Sequence, residues 1–276
     1  MQHSTDPPGV ISSQPSGYHY PNLGNNPQMA GSAMPINVQP GAVVVPVPMP
    51  MDGVPVGLEY LTMVNTIMVH QKIEAIEILI GFETKNRYVL RNANGDQVYF
   101  AYEESECFER ICCGPQRSWT MHIIDNFKRE VITIRRPFKC CGGGCNGLCA
   151  GADCCAQECE IFTAQGPVAY VKQLSNGCDP MYELRDPEDK YKMIISGPCC
   201  CIFATCQDKE FEIKTEEGIP IGSITKKWGG ICRESFTDAD VFSVTFPIDL
   251  SVKTKAALIG LTFLIDFMYF EHQNNN

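Results

Sequence analysis

Short segments in which apolar and polar residues alternate recur through the middle of the chain, with turn-forming residues between them. Residues 87–91 (Arg-Tyr-Val-Leu-Arg) and 97–100 (Gln-Val-Tyr-Phe) flank Asn94-Gly95. Asn-Gly is the strongest two-residue hairpin signal, because both residues tolerate the positive φ angles of the favoured turn. Alternation with period two is typical of a strand with one buried and one wet face. The pattern therefore predicts a series of antiparallel hairpins.

The number of predicted strands favours a closed barrel over an open sheet. Five predicted hairpins and two single strands give about twelve strands, which is more than an open twisted sheet usually holds. Closure into a barrel removes the exposed edges. Residues 72–80 are ambiguous, because Ile73, Ile76 and Ile80 also fit a helical stripe. The predicted strands are 67–71, 87–91, 97–100, 120–124, 131–134, 158–162, 168–171, 181–184, 191–195, 211–214, 219–224 and 241–246.

Residues 253–270 are the most apolar stretch and predict a helix that is apolar on every side. A barrel of about twelve strands has a lumen that must be filled, and this helix is the candidate filler. The alternative is a single membrane span. However, the uninterrupted apolar run, 256–265, is shorter than the ~20 residues that a bilayer requires, and Asp266 would be costly against lipid. The sequence favours the buried helix and leaves the spanning helix open.

The first part of the chain differs in composition from the rest. Eleven of the 19 prolines precede residue 56, and the first Lys or Arg is Lys72. Such a segment buries too little apolar surface to offset its chain entropy. We predict a disordered Pro-rich tail at 1–56 and one folded domain at 57–276, mainly β, with a closed antiparallel barrel around a buried C-terminal hydrophobic helix. The tail is interpreted as a solvated linker, with recruitment of protein partners as the alternative.

The charge of the chain limits its expected partners. The net charge of −10 opposes both nucleic acid and anionic lipid headgroups, so a nucleic-acid partner is not expected. Lys226-Lys227-Trp228 is the nearest approach to a basic patch and is typical of a solvated strand edge. The sequence has neither a signal-peptide pattern nor an Asn-X-Ser/Thr sequon, and both absences indicate the reducing side of a membrane.

The 16 cysteines are clustered, and three interpretations compete for them. A disulfide scaffold is not expected on the reducing side of a membrane. Zinc ligation usually uses C-x₂-C pairs, which the chain lacks, although Cys141-x₃-Cys145 and Cys155-x₃-Cys159 keep zinc as a minor alternative. S-acylation suits cysteines in a flexible loop, and the glycines at 142–144 supply flexibility. The predicted S-acylation sites are Cys140, Cys141, Cys145, Cys149, Cys154, Cys155 and Cys159. Cys199, Cys200 and Cys201 are interpreted as small buried hydrophobes as readily as functional residues.

Three carboxylates follow one another near the C-terminus. Asp238, Asp240 and Asp249 occupy positions 1, 3 and 12 of a calcium loop of the EF-hand type, although Phe242 and Ser243 stand at positions 5 and 6. They are the predicted metal ligands, and so few ligands imply weak Ca²⁺ binding, with a dissociation constant of about 10⁻⁴–10⁻³ M. The alternative is a half-buried strand with two solvated carboxylates at its start.

The order and spacing of several short motifs resemble those of the phospholipid scramblase family. The resemblance covers about residues 57–276. It is carried by Gly57-Leu-Glu-Tyr60-Leu, Gly81-Phe82-Glu83-Thr84, Ile124-Asp125-Asn126, Glu130-Val-Ile-Thr133, Ile195-Ser-Gly197-Pro198-Cys199, Phe236-Thr-Asp238-Ala-Asp240 and the apolar segment that follows.

This resemblance implies a tubby-like fold, an acylated cysteine run and a calcium-responsive activity. The implied activity is ATP-independent, bidirectional movement of membrane phospholipids between leaflets at the cytoplasmic face of the plasma membrane, with a minor nuclear pool as a further possibility. The alternatives are a non-transporting adaptor that binds lipid or protein and, third, a metal-binding regulator with nuclear access. No enzyme acting covalently is expected, because no nucleophile–base pair, Gly-rich phosphate loop or H-E-x-x-H motif occurs.

Overall fold

Twelve antiparallel strands form a closed barrel, in which β1 pairs with both β2 and β12. The barrel confirms the fold class predicted from the sequence. The computed structural model describes residues 48–72, 86–106, 112–113, 116–139, 150–199, 206–228 and 238–271, all within one unit, Met34–Asn276. The strands are β1 Thr66–Lys72, β2 Arg87–Arg91, β3 Gln97–Glu104, β4 Trp119–Asp125, β5 Glu130–Arg136, β6 Glu158–Thr163, β7 Gly166–Gln173, β8 Met181–Arg185, β9 Lys192–Ser196, β10 Lys209–Thr215, β11 Pro220–Lys227 and β12 Asp238–Thr245.

Two sequence predictions concern residues that lie mainly outside the described ranges. The Pro-rich tail at 1–56 is described only from residue 48 onward, and the ambiguous segment 72–80 only at Lys72, the last residue of β1. Both therefore stay predictions.

Period-two alternation places one face of each strand inside the barrel. In β1, Ile67 and Val69 are fully buried, whereas Met68 between them is only half-buried. A hairpin joins β2 and β3 as predicted, but its turn differs from the predicted form, because only Gly95 of the Asn-Gly pair has a positive φ, 88°, and the connection spans residues 92–96. The alternating pattern thus predicted both the strands and the side of each strand that faces the core.

The helix α1 (Val252–Tyr269) fills the lumen. It begins after Ser251, whose hydroxyl accepts a hydrogen bond from the Thr254 N–H at 3.1 Å. Every residue from 254 to 268 is buried. Gly260 allows close approach to the wall, because a Cβ there would lie 2.7 Å from the Cγ1 atom of Ile161 on β6. The prediction of a helix buried inside the barrel is confirmed.

The barrel has two different ends. At the hairpin end, α1 begins and short turns join the strands, at residues 92–96, 126–129, 164–165, 186–191 and 216–219. At the loop end, α1 ends and the odd-numbered strands end, at Lys72, Glu104, Arg136, Gln173, Ser196 and Lys227. The even-numbered strands begin at the loop end, because all neighbouring strands are antiparallel.

A buried lysine closes the hairpin end. Lys255 of α1 is fully buried, and its ammonium donates to the carbonyl oxygens of Leu61, Val64 and Ile248 at 2.7–2.9 Å. Leu61 belongs to a short 3₁₀ helix, Glu59–Met63. An ammonium has three N–H donors, so the buried charge is fully hydrogen-bonded. Lys255 thereby joins the start of α1 to the chain before β1 and after β12.

Candidate functional site

Asp238 and Asp240 lie at the loop end, at the start of β12. Asp238 pairs in register with Lys72 of β1. Asp240 is buried, with 6% of its surface exposed, and forms an ion pair with Lys226 of the neighbouring strand β11. The Lys226 ammonium also lies 4.2 Å from the ring centroid of Phe270, just beyond α1. The Asp240 carboxylate is therefore already neutralised by a cation of the chain itself.

The third predicted ligand, Asp249, lies at the opposite end of the barrel. It is exposed and follows Pro247, after β12 has ended at the hairpin end. A strand rises about 3.3 Å per residue, so Asp240 and Thr245 alone are about 16 Å apart. The segment is a strand and not a calcium loop, and it separates Asp249 from the other two carboxylates. Among the described residues, no three His, Cys, Asp or Glu side chains lie close enough to hold a metal ion.

The alternative interpretation of this segment was a half-buried strand that starts with two solvated carboxylates. The segment is a strand, but the Asp240 side chain is buried. Inward-facing Phe242 and Val244 are buried in the core, and Asp240 shares their face of β12 two residues earlier. Its carboxylate therefore points into the loop end of the lumen. Burial is tolerated because Lys226 compensates the charge.

Asp266 is a second buried carboxyl group near Asp240. It lies in the last turns of α1, is 1% exposed, and its Oδ2 accepts a hydrogen bond of 2.6 Å from the Tyr88 hydroxyl on β2. Its Oδ1 has no hydrogen-bond partner. Burial, followed by repulsion from Asp240, raises the pKa of Asp266 to about 7. The sequence placed Asp266 inside the barrel but gave no sign of its proximity to Asp240.

A buried ion-pair network holds the end of α1 in the loop end. The Arg117 guanidinium donates to Glu103 at 2.8 Å and to Glu271, just beyond α1, at 2.5 Å. The amide of Asn86 donates to both carboxylates, at 2.7 and 3.1 Å. Burial acts to lower the pKa of Arg117, but its bonds to Glu103 and Glu271 outweigh burial and raise it. Arg117 therefore stays charged and ties β3 to the end of the helix.

The predicted acylation sites divide into accessible, buried and undescribed cysteines. Cys140, Cys141, Cys145 and Cys149 lie outside the described residues. Cys154 is exposed, with its sulfur 3.7 Å from that of Cys155, which is half-buried and disulfide-bonded.

Cys159 is different, because its side chain belongs to the barrel core. It is 1% exposed and lies on β6 among the residues that face the lumen. Burial raises the pKa of its thiol, which disfavours the reactive thiolate. Cys159 is therefore a packing residue. In the other cluster, Cys199 is half-buried, and Cys200 and Cys201 lie outside the described residues.

The membrane-span alternative for the last helix is tested directly. In the part of the chain that the structure describes, no helix combines the length and apolar character needed to cross a bilayer. The helix α1, with Asp266 and Lys255, lies inside the barrel instead.

Comparison with known proteins gives the family. The Scramblase family model matches residues 45–272. Human phospholipid scramblase 1 is 43% identical over 287 aligned residues, covering 96% of this chain and 86% of that protein. Phospholipid scramblase 2 of Bos taurus is 44% identical, covering 86% of this chain and 80% of that protein. Human phospholipid scramblase family member 5 is 41% identical, covering 81% and 80%. No solved structure matches. The fold and the site define a closed β-barrel with a polar, cysteine-rich end, and the chain belongs to the phospholipid scramblase family.

Proposed function

We propose that this chain promotes calcium-responsive, ATP-independent movement of phospholipids in both directions between membrane leaflets. Acyl chains on its cysteines hold it at the cytoplasmic face of the plasma membrane. The observation that carries the proposal is family membership over residues 45–272, which includes the whole barrel and its central helix. The direct partner is the phospholipid bilayer.

For calcium, we retain Asp238 and Asp240 as ligands and leave out Asp249. Asp238 and Asp240 are two residues apart at the loop end, whereas Asp249 lies at the hairpin end. A Ca²⁺ ion that binds Asp240 must displace Lys226, and this competition is consistent with weak affinity. The released ammonium and the bound cation would both make the loop end more positive. Such a change favours contact with anionic headgroups.

For the anchor, we retain six cysteines of the connection between β5 and β6 and leave out Cys159. They are Cys140, Cys141, Cys145, Cys149, Cys154 and Cys155, all between Arg136 and Glu158 in sequence. Cys155 would be available once its disulfide is reduced. Two acyl chains anchor a protein stably where one binds only marginally. Such an anchor is needed, because the net charge of −10 opposes binding to anionic lipid.

The test is reconstitution of the purified full chain into liposomes that contain a fluorescent phospholipid in both leaflets. A reductant that cannot cross the bilayer then reports how much probe reaches the outer leaflet, with and without millimolar Ca²⁺. Calcium should raise the rate in the wild type and in Asp249→Asn, and should have no effect in Asp238→Asn/Asp240→Asn. A wild-type rate equal to that of protein-free liposomes would overturn the proposal.

One structural observation favours a second candidate, a non-transporting adaptor that binds lipid or protein. The helix α1 is enclosed by strands, so the described part of the chain offers no apolar helix to the bilayer. In this case the Pro-rich tail would recruit partners. Liposome binding without any leaflet exchange, and with capture of defined proline-binding domains by residues 1–56, would support the adaptor.

A further inference from the structure

Apart from Cys159, the cysteines that the structure describes lie at one end of the barrel. Every cysteine except Cys159 falls in a connection at the loop end, and none falls in a turn of the hairpin end or before β1. Five of the six loop-end connections contain cysteine, and the exception is the connection between β1 and β2. The connections contain, in chain order, Cys107, Cys112 and Cys113; Cys140, Cys141, Cys145, Cys149, Cys154 and Cys155; Cys178; Cys199, Cys200, Cys201 and Cys206; and Cys232.

Several of these cysteines are accessible and lie far from the predicted run in sequence. Cys112, Cys178 and Cys206 are exposed free thiols, and Cys113 is a half-buried one. They belong to three different connections, β3–β4, β7–β8 and β9–β10. In the closed strand order these connections occupy separate points around the rim. With exposed Cys154, accessible thiols therefore lie in four successive connections of the loop end, from β3–β4 to β9–β10, and are not confined to the connection between β5 and β6.

Exposed aromatic residues mark the same rim. Phe138, two residues after β5, is 50% exposed, and Trp228, directly after β11, is 46% exposed. Five strands separate β5 from β11 in either direction around the barrel, so the two aromatics stand on opposite sides of the rim. The indole of Trp228, which is apolar with one N–H group, is typical of membrane interfaces, and the Phe138 ring adds exposed apolar surface.

The charges of the rim do not by themselves explain membrane contact. The Lys227 ammonium pairs with Asp208 at 2.9 Å, and the backbone N–H of Trp228 donates to the same carboxylate at 2.9 Å. Lys172 pairs with Asp153 at 2.8 Å. Both lysines form an ion pair with an aspartate. Contact of the rim with a membrane would therefore depend on its apolar side chains and acylated cysteines and not on these two lysines.

We infer that the loop end is the surface that faces the lipid bilayer, and that Cys112, Cys113, Cys178 and Cys206 are S-acylated there. This inference rests on the proposed acyl anchor and adds sites in three further connections. In each step the Cys thiolate attacks the carbonyl carbon of a long-chain acyl thioester. A new C–S bond forms, the donor C–S bond breaks, and the donor leaves as a thiolate that takes up the proton lost earlier by the Cys thiol.

The arrangement has a mechanical consequence for the molecule. Acyl chains attached at one point of the rim leave the barrel free to tilt, whereas chains at several points hold the barrel axis close to the membrane normal. The loop end, with Asp240 and Lys226 just inside it, then faces the headgroups. The hairpin end faces away from the bilayer, although it also exposes apolar residues, at Ile219 (59% exposed) and Ile248 (60% exposed).

The first test counts thioesters on the full chain expressed in eukaryotic cells. Free thiols are blocked, neutral hydroxylamine cleaves thioesters, and a maleimide polymer then adds one mass step per former acyl chain. With Cys140, Cys141, Cys145, Cys149, Cys154 and Cys155 replaced by Ala, at least two mass steps should remain. In the reciprocal variant, Cys112→Ala/Cys113→Ala/Cys178→Ala/Cys206→Ala, the wild-type number should fall.

The outcomes separate this inference from the proposed function. A wild-type number that the reciprocal variant does not lower would overturn the further sites and leave the β5–β6 anchor standing. If the wild type shows no hydroxylamine-dependent step, both the further sites and the proposed anchor are wrong. All four replaced cysteines lie outside the core, so the reciprocal variant should fold normally, and its unfolding temperature provides the check.

The second test reads the orientation from tryptophan fluorescence in vesicles with brominated phospholipids. The chain has two tryptophans, Trp119, which is 2% exposed, and Trp228. Acylated wild-type protein should be quenched, and Trp228→Phe should lose this quenching. The matched reporter is Ile248→Trp in the Trp228→Phe background, which should stay unquenched. Quenching of the Ile248 reporter without quenching of Trp228 would place the hairpin end at the membrane and overturn the inference.

Discussion

At the scale of single residues, Asp266 combines burial with incomplete hydrogen bonding. Tyr88 satisfies one carboxyl oxygen, whereas the other oxygen has no partner and the carboxylate of Asp240 is nearby. An unpaired carboxylate inside a protein is costly, so the protonated form is favoured. Asp266 therefore makes the stability of the barrel depend on pH near neutrality.

We expect the free energy of unfolding to fall as the pH rises from about 4 to about 7. The pKa of Asp266 is raised from 3.8 to about 7 in the folded state, so in this window the folded chain holds one more proton than the unfolded chain. Asp266→Asn cannot ionise and should lose less stability. The stability difference between variant and wild type should change by up to about 1.4 kcal/mol per pH unit. Denaturant unfolding at pH 5, 6, 7 and 8 measures this change.

His122 must be controlled in the same experiment, because it acts with the same sign in an overlapping window. Burial acts to lower the pKa of His122, but its hydrogen bonds to Glu130 and Glu104, at 3.0 and 2.9 Å, raise it overall. Its contribution is present below pH 6.5 and is lost at higher pH. The comparison is therefore made in a His122→Gln background. Parallel pH profiles with and without Asp266 would refute the assignment.

Gly260 is the second residue whose role can be tested alone. Alanine has a higher helix propensity than glycine by about 1 kcal/mol, which would stabilise an exposed helix. Here the added Cβ would lie 2.7 Å from Ile161 and 3.3 Å from Ile134. We expect Gly260→Ala to lower the free energy of unfolding by about 1–3 kcal/mol, because overpacking outweighs propensity. Gly151→Ala, whose Cβ would meet only Ser175 at 3.9 Å, is the control and should change little. A higher unfolding temperature for Gly260→Ala would contradict this prediction and show that α1 and the barrel wall can separate enough to accommodate the added methyl group.

At the scale of elements, the strands were the most predictable part of the molecule. The hairpin around Asn94-Gly95 occurs at β2 and β3 as predicted, because the alternation fixes the buried face, although its register shifts between Leu90 and Arg91. Strand ends were less predictable. The predicted segment 97–100 continues to Glu104, whose neighbour Glu103 is inward-facing and charged. From sequence alone, a charged residue near a strand end is expected to be solvated. Glu103 is buried instead because Arg117 forms an ion pair with it.

The helix α1 was predicted as apolar on every side, but its position depends on a polar residue. Lys255 is surrounded by three carbonyl groups from two segments. Replacement by Met should leave these carbonyls buried without donors and lower the free energy of unfolding by about 3 kcal/mol or more. Lys253→Met, two residues earlier and exposed, is the matched control and should change stability by less than about 0.5 kcal/mol. Equal effects of the two substitutions in urea unfolding would show that Lys255 contributes only its aliphatic stem.

At the scale of the whole molecule, the sequence predicted the ingredients of the site better than their arrangement. Spacing alone grouped Asp238, Asp240 and Asp249, and only the course of β12 shows that Asp249 lies at the other end. The network of Arg117 with Glu271 joins residues 154 positions apart, and no local pattern can indicate such a contact. The cysteine clusters were visible in the sequence, but their placement at a single end follows from the alternating strand directions.

The final prediction concerns what holds the whole molecule on a membrane. Membranes from cells that express the full chain are washed either with about 1 M salt, at which the Debye length is only ~3 Å, or with neutral hydroxylamine. The net charge of −10 gives little attraction to anionic lipid, so salt should leave the protein in the membrane pellet. Hydroxylamine cleaves thioesters and should move it to the soluble fraction. A single-pass membrane protein in the same preparation should stay in the pellet under both treatments. Release by salt alone would indicate electrostatic binding. Retention after both treatments would indicate insertion of apolar side chains, for which Phe138 and Trp228 at the loop end and Ile219 and Ile248 at the hairpin end are exposed candidates.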